Sequence, residues 1–259
     1  MPSKMQLPGF SFLTKERFVL DSPSTRRNFL RSSSIAGTGL LLPALSVAQA
    51  SSQKDKNDKD KEKKDEDVSP AEDLMREHGL LNRLLLIYEE HLRMLAAQRS
   101  FDGSVLVNAA DIIRQFVEEY HEKLEEDYLF PRFRKAGKLV NLVDTLQAQH
   151  KAGRRLTAEI RELAATATLK YVSSDSEKLS RALRDFLRMY RPHEAREDTV
   201  LFPAFRKIVS THEYDALGED FEKKEDEKFG EEGFFKVVDQ VAEIEKKLGI
   251  YELAQFTPK

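Results

Sequence analysis

Two stretches of the chain carry histidine and glutamate at the same spacing, and both side chains are common metal ligands. Residues 121–135 read HEKLEEDYLFPRFRK and residues 193–207 read HEAREDTVLFPAFRK, so each contains His-x-x-x-Glu followed by Leu-Phe-Pro. The two stretches begin 72 residues apart, and another pair of histidines, His78 and His150, has the same separation. The candidate metal ligands are therefore His78, His121, Glu125, His150, His193 and Glu197. An ungapped repeat of this length indicates an internal duplication.

The types and number of these ligands limit the metal chemistry. The chain has no cysteine, so it forms no disulfide, and any bound metal must use imidazole and carboxylate groups. Such groups suit iron, zinc, manganese or copper. Six ligands exceed the four of a tetrahedral zinc site and suit two metal ions. We expect the two histidines of each repeat to share one metal and the two glutamates to bridge the pair, although sequence alone leaves open which histidines share a metal.

The composition favours helices that could hold these residues in place. Only 11 of the 259 residues are glycine and nine are proline, whereas good helix formers such as Leu, Ala, Glu and Lys are abundant. Apolar residues recur at helical spacing in four long segments joined by short turns, which predicts an all-α, up-down-up-down four-helix bundle. A charged connector and an extra C-terminal amphipathic helix follow. The predicted helices are 70–99, 105–136, 139–169, 175–209 and 233–248.

The spacing of the histidines places all four at one level of this bundle. In an antiparallel helical hairpin, two residues equidistant from the turn lie at the same height. The midpoints of successive histidines are 99.5, 135.5 and 171.5, which fall in or beside the three predicted turns. Each glutamate follows a histidine by four residues, which turn a helix through ~400°, so the two share a face. Burying these groups unpaired would cost several kcal/mol each, and a metal removes that conflict.

The first 50 residues have the organisation of an export signal. Residues 24–31 read STRRNFLR, an apolar run spans 35–45, and residues 48–50 read AQA, an A-x-A cleavage pattern. This order resembles a twin-arginine (Tat) signal peptide that occupies residues 1–50. The apolar run is shorter than the roughly 20 residues of a membrane-spanning helix. We therefore expect a periplasmic or otherwise extracytoplasmic protein, without stable membrane insertion once the signal is removed.

The remaining chain divides by composition and charge. Residues 51–68 are almost entirely charged or polar, which predicts a disordered linker. Residues 69–210 hold the bundle, and residues 211–259 form a C-terminal extension with one amphipathic helix. The first 50 residues contain six basic and two acidic residues, so the rest of the chain has a net charge of −7. This acidic balance argues against a nucleic-acid partner, which would require a basic surface.

The combination of repeat and motifs resembles the hemerythrin-like HHE cation-binding family. The resemblance covers about residues 70–210 and rests on the four spaced histidines, the two His-x-x-x-Glu motifs and the Leu-Phe-Pro after each. It implies a four-helix bundle around a non-haem di-iron centre with an oxo or hydroxo bridge, iron being favoured over zinc or manganese. Family members bind or sense oxygen, handle iron, or act under nitric-oxide and oxidative stress.

The oxygen-carrying hemerythrins have a fifth histidine four residues from one of the others, and this chain lacks it. The positions where it could stand, four residues from His78 or His150, are occupied by Asn82, Leu146 and Arg154. Their identity favours an open site that binds or senses oxygen, nitric oxide or a peroxide over a reversible oxygen carrier. A di-iron enzyme, either a peroxidase or a nitric-oxide reductase, and an iron storage or handling protein are the alternatives. The sequence identifies no protein partner.

Other residues near the motifs receive plainer interpretations. His91 and His212 lie outside the repeat and are interpreted as ordinary core or surface residues. HEKLE and HEARE end in Glu, which disfavours a zinc-protease motif, because that motif ends in His. The acidic neighbours of the ligands are interpreted as solvated or hydrogen-bonded to the ligands: Glu122, Glu126, Glu194 and Asp198. The aromatic neighbours are interpreted as core residues: Phe130, Tyr190 and Phe202.

Overall fold

Four long helices follow one another along the chain, and two more complete its C-terminal part. The computed structural model describes residues 69–166 and 174–258, so the predicted signal peptide (1–50) and linker (51–68) lie outside the described residues. The helices of the described residues are α1 Pro70–Ala96, α2 103–136, α3 Val140–Thr166, α4 174–205, α5 Thr211–Phe229 and α6 Gly233–Leu248. A short 3₁₀ turn, Leu253–Phe256, follows α6.

Helices α1 to α4 form the predicted up-down-up-down bundle. Helix α1 packs against α2 and α4, and α3 packs against the same two helices, which closes the bundle. Each helix contributes fully buried apolar side chains to the interior, for example Leu84, Ile113, Ile160 and Phe186. The predicted all-α fold, a four-helix bundle with an additional C-terminal helix, is therefore confirmed.

Local capping interactions fix where the helices begin and end. Ser69 starts α1 with a capping box, in which its hydroxyl accepts from the Glu72 N–H at 3.3 Å and its own N–H donates to the Glu72 carboxylate at 3.1 Å. The side chain of Asp102 caps α2 at 2.9 Å. Gly137 ends α2 with a φ of 61°, in the left-handed region that glycine adopts without strain. These ends set the register of the hairpins, and with it the heights of the histidines.

Two widened turns lie at the same position of each repeat. Segments Glu125–Leu129 of α2 and Glu197–Leu201 of α4 are π-helical, and Phe-Pro follows each of them. The N–H of Phe130 donates to the carbonyl of Glu125, five residues back instead of four. Pro131 has no N–H and its ring crowds the carbonyl four residues back, so the preceding turn widens. In both repeats the widened turn therefore starts at the candidate ligand glutamate.

The segment expected to be a charged connector, residues 210–230, is helix α5, and the prediction of one helix after residue 210 is corrected to two. The Ser210 hydroxyl caps α5 by accepting from the Glu213 N–H at 3.2 Å. Buried side chains recur along α5 at helical spacing: Tyr214, Leu217, Phe221 and Glu225. The periodic signal in the sequence was weak because charged residues occupy most of the other positions, and one of the buried residues is itself charged.

Helix α6 lies on the outside of the bundle against α1 and α2. Arg83 of α1 donates two hydrogen bonds to the Glu245 carboxylate of α6, at 2.9 and 2.6 Å. The Phe116 ring of α2 packs near Phe229 and Phe234, with ring centroids 5.5 and 6.1 Å apart. The C-terminal extension therefore shares the packed core of the bundle. Over the described ranges, no helix combines the length and apolar character needed to cross a membrane.

Candidate metal centre

The six candidate ligands converge inside the bundle. His78 comes from α1, His150 from α3, and each of α2 and α4 supplies one His-x-x-x-Glu pair. All six side chains are buried, with exposures between 0 and 4 %. The four helices therefore bring the histidines to one level, as the equal spacing about the turns predicted. The lone His91 is placed elsewhere, its ring hydrogen-bonded to the Ile87 carbonyl at 2.8 Å.

The distances between the converging atoms match those between ligands of one metal ion. Two atoms each about 2.1 Å from a metal and at right angles to each other are about 3.0 Å apart. The distances are 3.0 Å for His78 Nε2 to His121 Nε2, 3.1 Å for His193 Nε2 to Glu197 Oε2, 3.3 Å for His150 Nε2 to Glu125 Oε2 and 3.4 Å for His78 Nε2 to Glu197 Oε2.

The ligand atoms divide into two groups that share a carboxylate. In each group the atoms lie within 4.8 Å of one another, and the groups are His78, His121 and Glu125, and Glu125, His150, His193 and Glu197. Glu125 belongs to both groups, and Glu197 Oε2 approaches a histidine of each repeat. Both glutamates therefore lie between the two histidine pairs, where a bridging carboxylate would be.

Every histidine of the cluster is held by a hydrogen bond at its other ring nitrogen. The Nδ1 partners are Asp198 at 2.7 Å for His78, Glu77 at 2.7 Å for His121, Glu126 at 3.1 Å for His150 and Gln149 at 2.9 Å for His193. All four partners are oxygen atoms, so each Nδ1 carries the proton that it donates. This tautomer leaves the Nε2 lone pair facing the interior, as metal-binding histidines require.

Several atoms at the centre of the cluster have no hydrogen-bond partner within the described part of the chain. They are both carboxylate oxygens of Glu125, both of Glu197, and His150 Nε2. Leaving buried polar atoms unsatisfied costs free energy, and buried like charges add to that cost. The unsatisfied atoms are the donor atoms of a metal site, so the residues present fit a pair of metal ions.

The acid–base properties of the cluster show what a metal would displace. Burial and the nearby Glu197 carboxylate raise the pKa of Glu125 well above its usual value. Burial opposes the ionisation of Glu197, but His193 and His78 outweigh it and hold the pKa of this carboxyl below its usual range. Burial also opposes the charging of His78, yet its hydrogen bond to Asp198 and the negative charge of the nearby Glu197 raise its pKa to about 10. Without metal the cluster retains protons that metal ions would replace.

Reasoning from sequence missed some of the residues that hold the histidines. Glu77 and Gln149 each precede a repeated histidine and are themselves 72 residues apart, which was the available signal. Glu122 and Glu194 are buried rather than solvated, with exposures of 1 and 3 %. The repeat relates their partners as well: Glu122 pairs with Arg154 at 2.8 Å, and Glu194 accepts from the Asn82 side chain at 2.5 Å.

The substitution Glu77→Gln should weaken metal binding by about 10- to 100-fold, because it removes the carboxylate that makes the His121 imidazole a stronger donor. Competition with a coloured chelator measures the affinity. Gln149→Glu is the matched control, since it introduces a carboxylate at the equivalent position of the other repeat. We expect that variant to bind metal at least as tightly as wild type. Equal affinities in wild type and the Glu77 variant would contradict the prediction.

Comparisons with known proteins agree with this geometry. The family described as Hemerythrin HHE cation binding domain matches residues 69–205 and again 141–231. Uncharacterized proteins from Mycobacterium bovis and from two strains of Mycobacterium tuberculosis are each 48% identical over 191 residues, which is 74% of this chain and 74% of the relative. No solved structure matches the chain. The family matches and the buried cluster of histidine and glutamate together place this chain in the hemerythrin HHE cation-binding family.

Proposed function

We propose that the protein binds two iron ions and uses the pair to bind or sense a small molecule, either oxygen, nitric oxide or a peroxide. The observation that supports this most directly is the pairing of four oriented Nε2 atoms with two unsatisfied carboxylates that lie between them. In this proposal His78 and His121 would hold one iron, His150 and His193 would hold the second, and Glu125 and Glu197 would be shared by both. The irons, when bound, would supply redox and Lewis-acid chemistry.

The residues of the chain hold the ligands and exclude water from them. Phe202 stacks on the His78 ring, with centroids 5.5 Å apart, and Phe130 stacks on His150 at 5.4 Å. These two phenylalanines are repeat equivalents, and both are buried. Each covers one face of an imidazole and restricts its rotation. A small neutral molecule would enter such a site more readily than a charged or bulky one.

The absence of a fifth imidazole supports a reactive centre over a reversible oxygen carrier. Arg154 and Asn82, four residues after His150 and His78, are hydrogen-bonded or ion-paired elsewhere, and Leu146 is a buried apolar side chain. Each metal would then have about four protein ligands, which leaves positions for a bridging oxygen and an external molecule. This opening also favours a second candidate, a di-iron peroxidase or nitric-oxide reductase.

Metal analysis and an absorption spectrum of protein purified in air test the di-iron proposal. We expect two irons per chain and a charge-transfer band of an oxo-bridged pair. One zinc per chain would overturn the proposal. Stopped-flow mixing of the reduced protein with peroxide or nitric oxide then separates the two candidate functions. A single stoichiometric spectral change indicates binding or sensing, whereas repeated cycling in the presence of a reductant indicates an enzyme.

We also propose that the twin-arginine pathway exports the protein, since this pathway carries folded proteins and iron could be inserted before export. Replacing Arg26 and Arg27 together by lysine should leave the precursor in the cytoplasm, because the arginine pair is the recognised feature of the signal. Cell fractionation with immunoblotting measures the distribution. Arg17→Lys is the control, since it changes a basic residue outside the pair. Unimpaired export of the double variant would refute this route.

A further inference from the structure

We propose that Tyr190 is a redox-active residue that gives up one electron and its phenolic proton when the metal pair reacts with a hydroperoxide. This inference rests on the proposed iron pair. Tyr190 is one α-helical turn before the ligand His193 on α4. Its ring centroid lies 5.5 Å from that of His193 in an edge-on arrangement, and the side chain is 1 % exposed. An electron would have to cross only one ring contact to reach a metal ligand.

The surroundings of the phenol provide an acceptor for its proton. The Tyr190 hydroxyl donates to Glu122 Oε1 at 2.8 Å, and the other oxygen of that carboxylate is paired with Arg154 at 2.8 Å. Oxidation of a phenol releases its proton, so a buried tyrosine is oxidised far more easily when a base accepts its hydrogen bond. The arginine keeps the carboxyl group of Glu122 oriented toward the phenol. Burial raises the pKa of this group in the metal-free protein, whereas the positive charges of Arg154 and of the iron pair would favour the ionised form that accepts the proton.

Helix α3 leaves space for this hydroxyl. A Cβ atom at Gly153 would lie 2.0 Å from the Tyr190 hydroxyl oxygen, closer than any real contact. Glycine in a helix interior is about 1 kcal/mol less favourable than alanine. The need to leave room for the Tyr190 hydroxyl explains why a glycine stands at this position of the helix. The duplication does not account for this arrangement, because the repeat equivalents of Tyr190 and Gly153 are Glu118 and Leu81.

The electron balance requires one electron from the phenol and one from a metal pair that has only one reducing electron to give, because a fully reduced pair would supply both electrons itself. Hydrogen peroxide takes up these two electrons and two protons from solvent, its O–O bond breaks, and two water molecules form. The phenolic O–H bond of Tyr190 breaks, its proton moves to Glu122, and a neutral phenoxyl radical remains. An external donor would then return one electron to the phenoxyl radical, which takes back the proton from Glu122, and one electron to the metal pair. The site would then work as a one-electron peroxidase.

A second buried tyrosine provides a matched control. Tyr88 is fully buried, and its ring packs on Phe186 at 5.2 Å, while Phe186 packs on Tyr190 at 4.3 Å. Among the described residues, no hydrogen-bond partner faces the Tyr88 hydroxyl. Tyr88 therefore shares the burial and aromatic surroundings of Tyr190 but lacks its proton acceptor, and we expect it to stay reduced.

Electron paramagnetic resonance of freeze-quenched samples tests the inference. Full-length protein containing two irons per chain is prepared with one reducing electron per iron pair, mixed with hydrogen peroxide and frozen within milliseconds. We expect a tyrosyl radical in wild type and in Tyr88→Phe, and its loss in Tyr190→Phe. Ring-deuterated tyrosine should narrow the signal. Iron content and the optical response to peroxide are measured on the same samples, so that loss of the metal site is not mistaken for loss of the radical.

The outcomes separate this inference from the proposed function. If iron binds and its spectrum responds to peroxide but wild type gives no radical, the role of Tyr190 is refuted and the iron centre stands. A radical that persists in Tyr190→Phe refutes it equally. If no iron binds at all, the proposed function fails and the inference fails with it.

Discussion

Replacing Glu125 and Glu197 together by glutamine should lower the metal affinity by more than about 100-fold, a larger effect than the loss of a residue outside the ligand set. Glutamine has nearly the same shape but no charge, so it cannot bridge two cations as a carboxylate does. The histidine pairs would remain in place, held by their Nδ1 partners. Metal content after loading with excess iron(II) and gel filtration measures the result, and we expect far fewer than two irons per chain.

A matched double variant distinguishes ligand loss from general damage. Glu122→Gln with Glu194→Gln changes two other buried glutamates of the same repeats, which are bonded to Arg154 and Asn82 rather than to ligand histidines. This control should keep two irons. The metal-free Glu125/Glu197 variant should be at least as stable as metal-free wild type, because it no longer buries two neighbouring carboxylates. Two irons per chain in the Glu125/Glu197 variant would show that these glutamates are not metal ligands.

The heights of the ligands could be predicted from sequence because a helical hairpin has simple geometry. Once Gly137 and the capping box at Ser69 set the helix ends, equal spacing about each turn places the histidines on one level. Their rotation toward the interior also follows from the helical repeat. These are properties of single helices and of adjacent helices in a chain, and a sequence contains enough information for both.

The partners of the ligands could not be predicted in the same way, because they come from other helices. Asp198 supports His78, although 120 residues separate them. A single residue such as Glu122 offers no sequence signal that separates a solvated carboxylate from one paired with Arg154. Helix α5 was missed for a related reason, since its apolar stripe is narrow and becomes interpretable only when the surface that it covers is known.

Removing the metal should make the stability of the protein strongly dependent on pH, with a decline above neutrality. Burial raises the pKa of Glu122 to about 8 and that of Glu194 to about 7. Against the effect of burial, the hydrogen bond to Asp198 and the negative charge of the nearby Glu197 raise the pKa of His78 to about 10. In the unfolded chain these groups release their protons at lower pH. The folded state therefore binds more protons between about pH 5 and 9, and the free energy of unfolding falls as pH rises through that range.

In acidic solution the free energy of unfolding changes with pH in the opposite direction. Burial lowers the pKa of His150 to about 4. Against the effect of burial, His150 and Arg154 lower the pKa of Glu126 to about 2. The unfolded chain therefore binds more protons between about pH 2 and 4.5, and the free energy of unfolding rises with pH there, whereas above this range the protons held by Glu122 and Glu194 outweigh those of His150. Metal-free protein should therefore be most stable in mildly acidic solution and lose several kcal/mol by pH ~8.5, since one pKa unit is equivalent to about 1.4 kcal/mol.

Metal ions should abolish the decline at alkaline pH, because they replace the protons on the ligands and bind only when those protons are gone. The difference in melting temperature between loaded and metal-free protein should therefore widen from about pH 5.5 to 8.5, by about 10 °C for a domain of this size. Thermal unfolding by circular dichroism, with and without a chelator, measures it. The Glu122/Glu194 glutamine variant should show a flatter decline without metal, since two of its proton-binding groups are gone. A constant difference across this range would mean that metal binding does not displace protons from these buried groups.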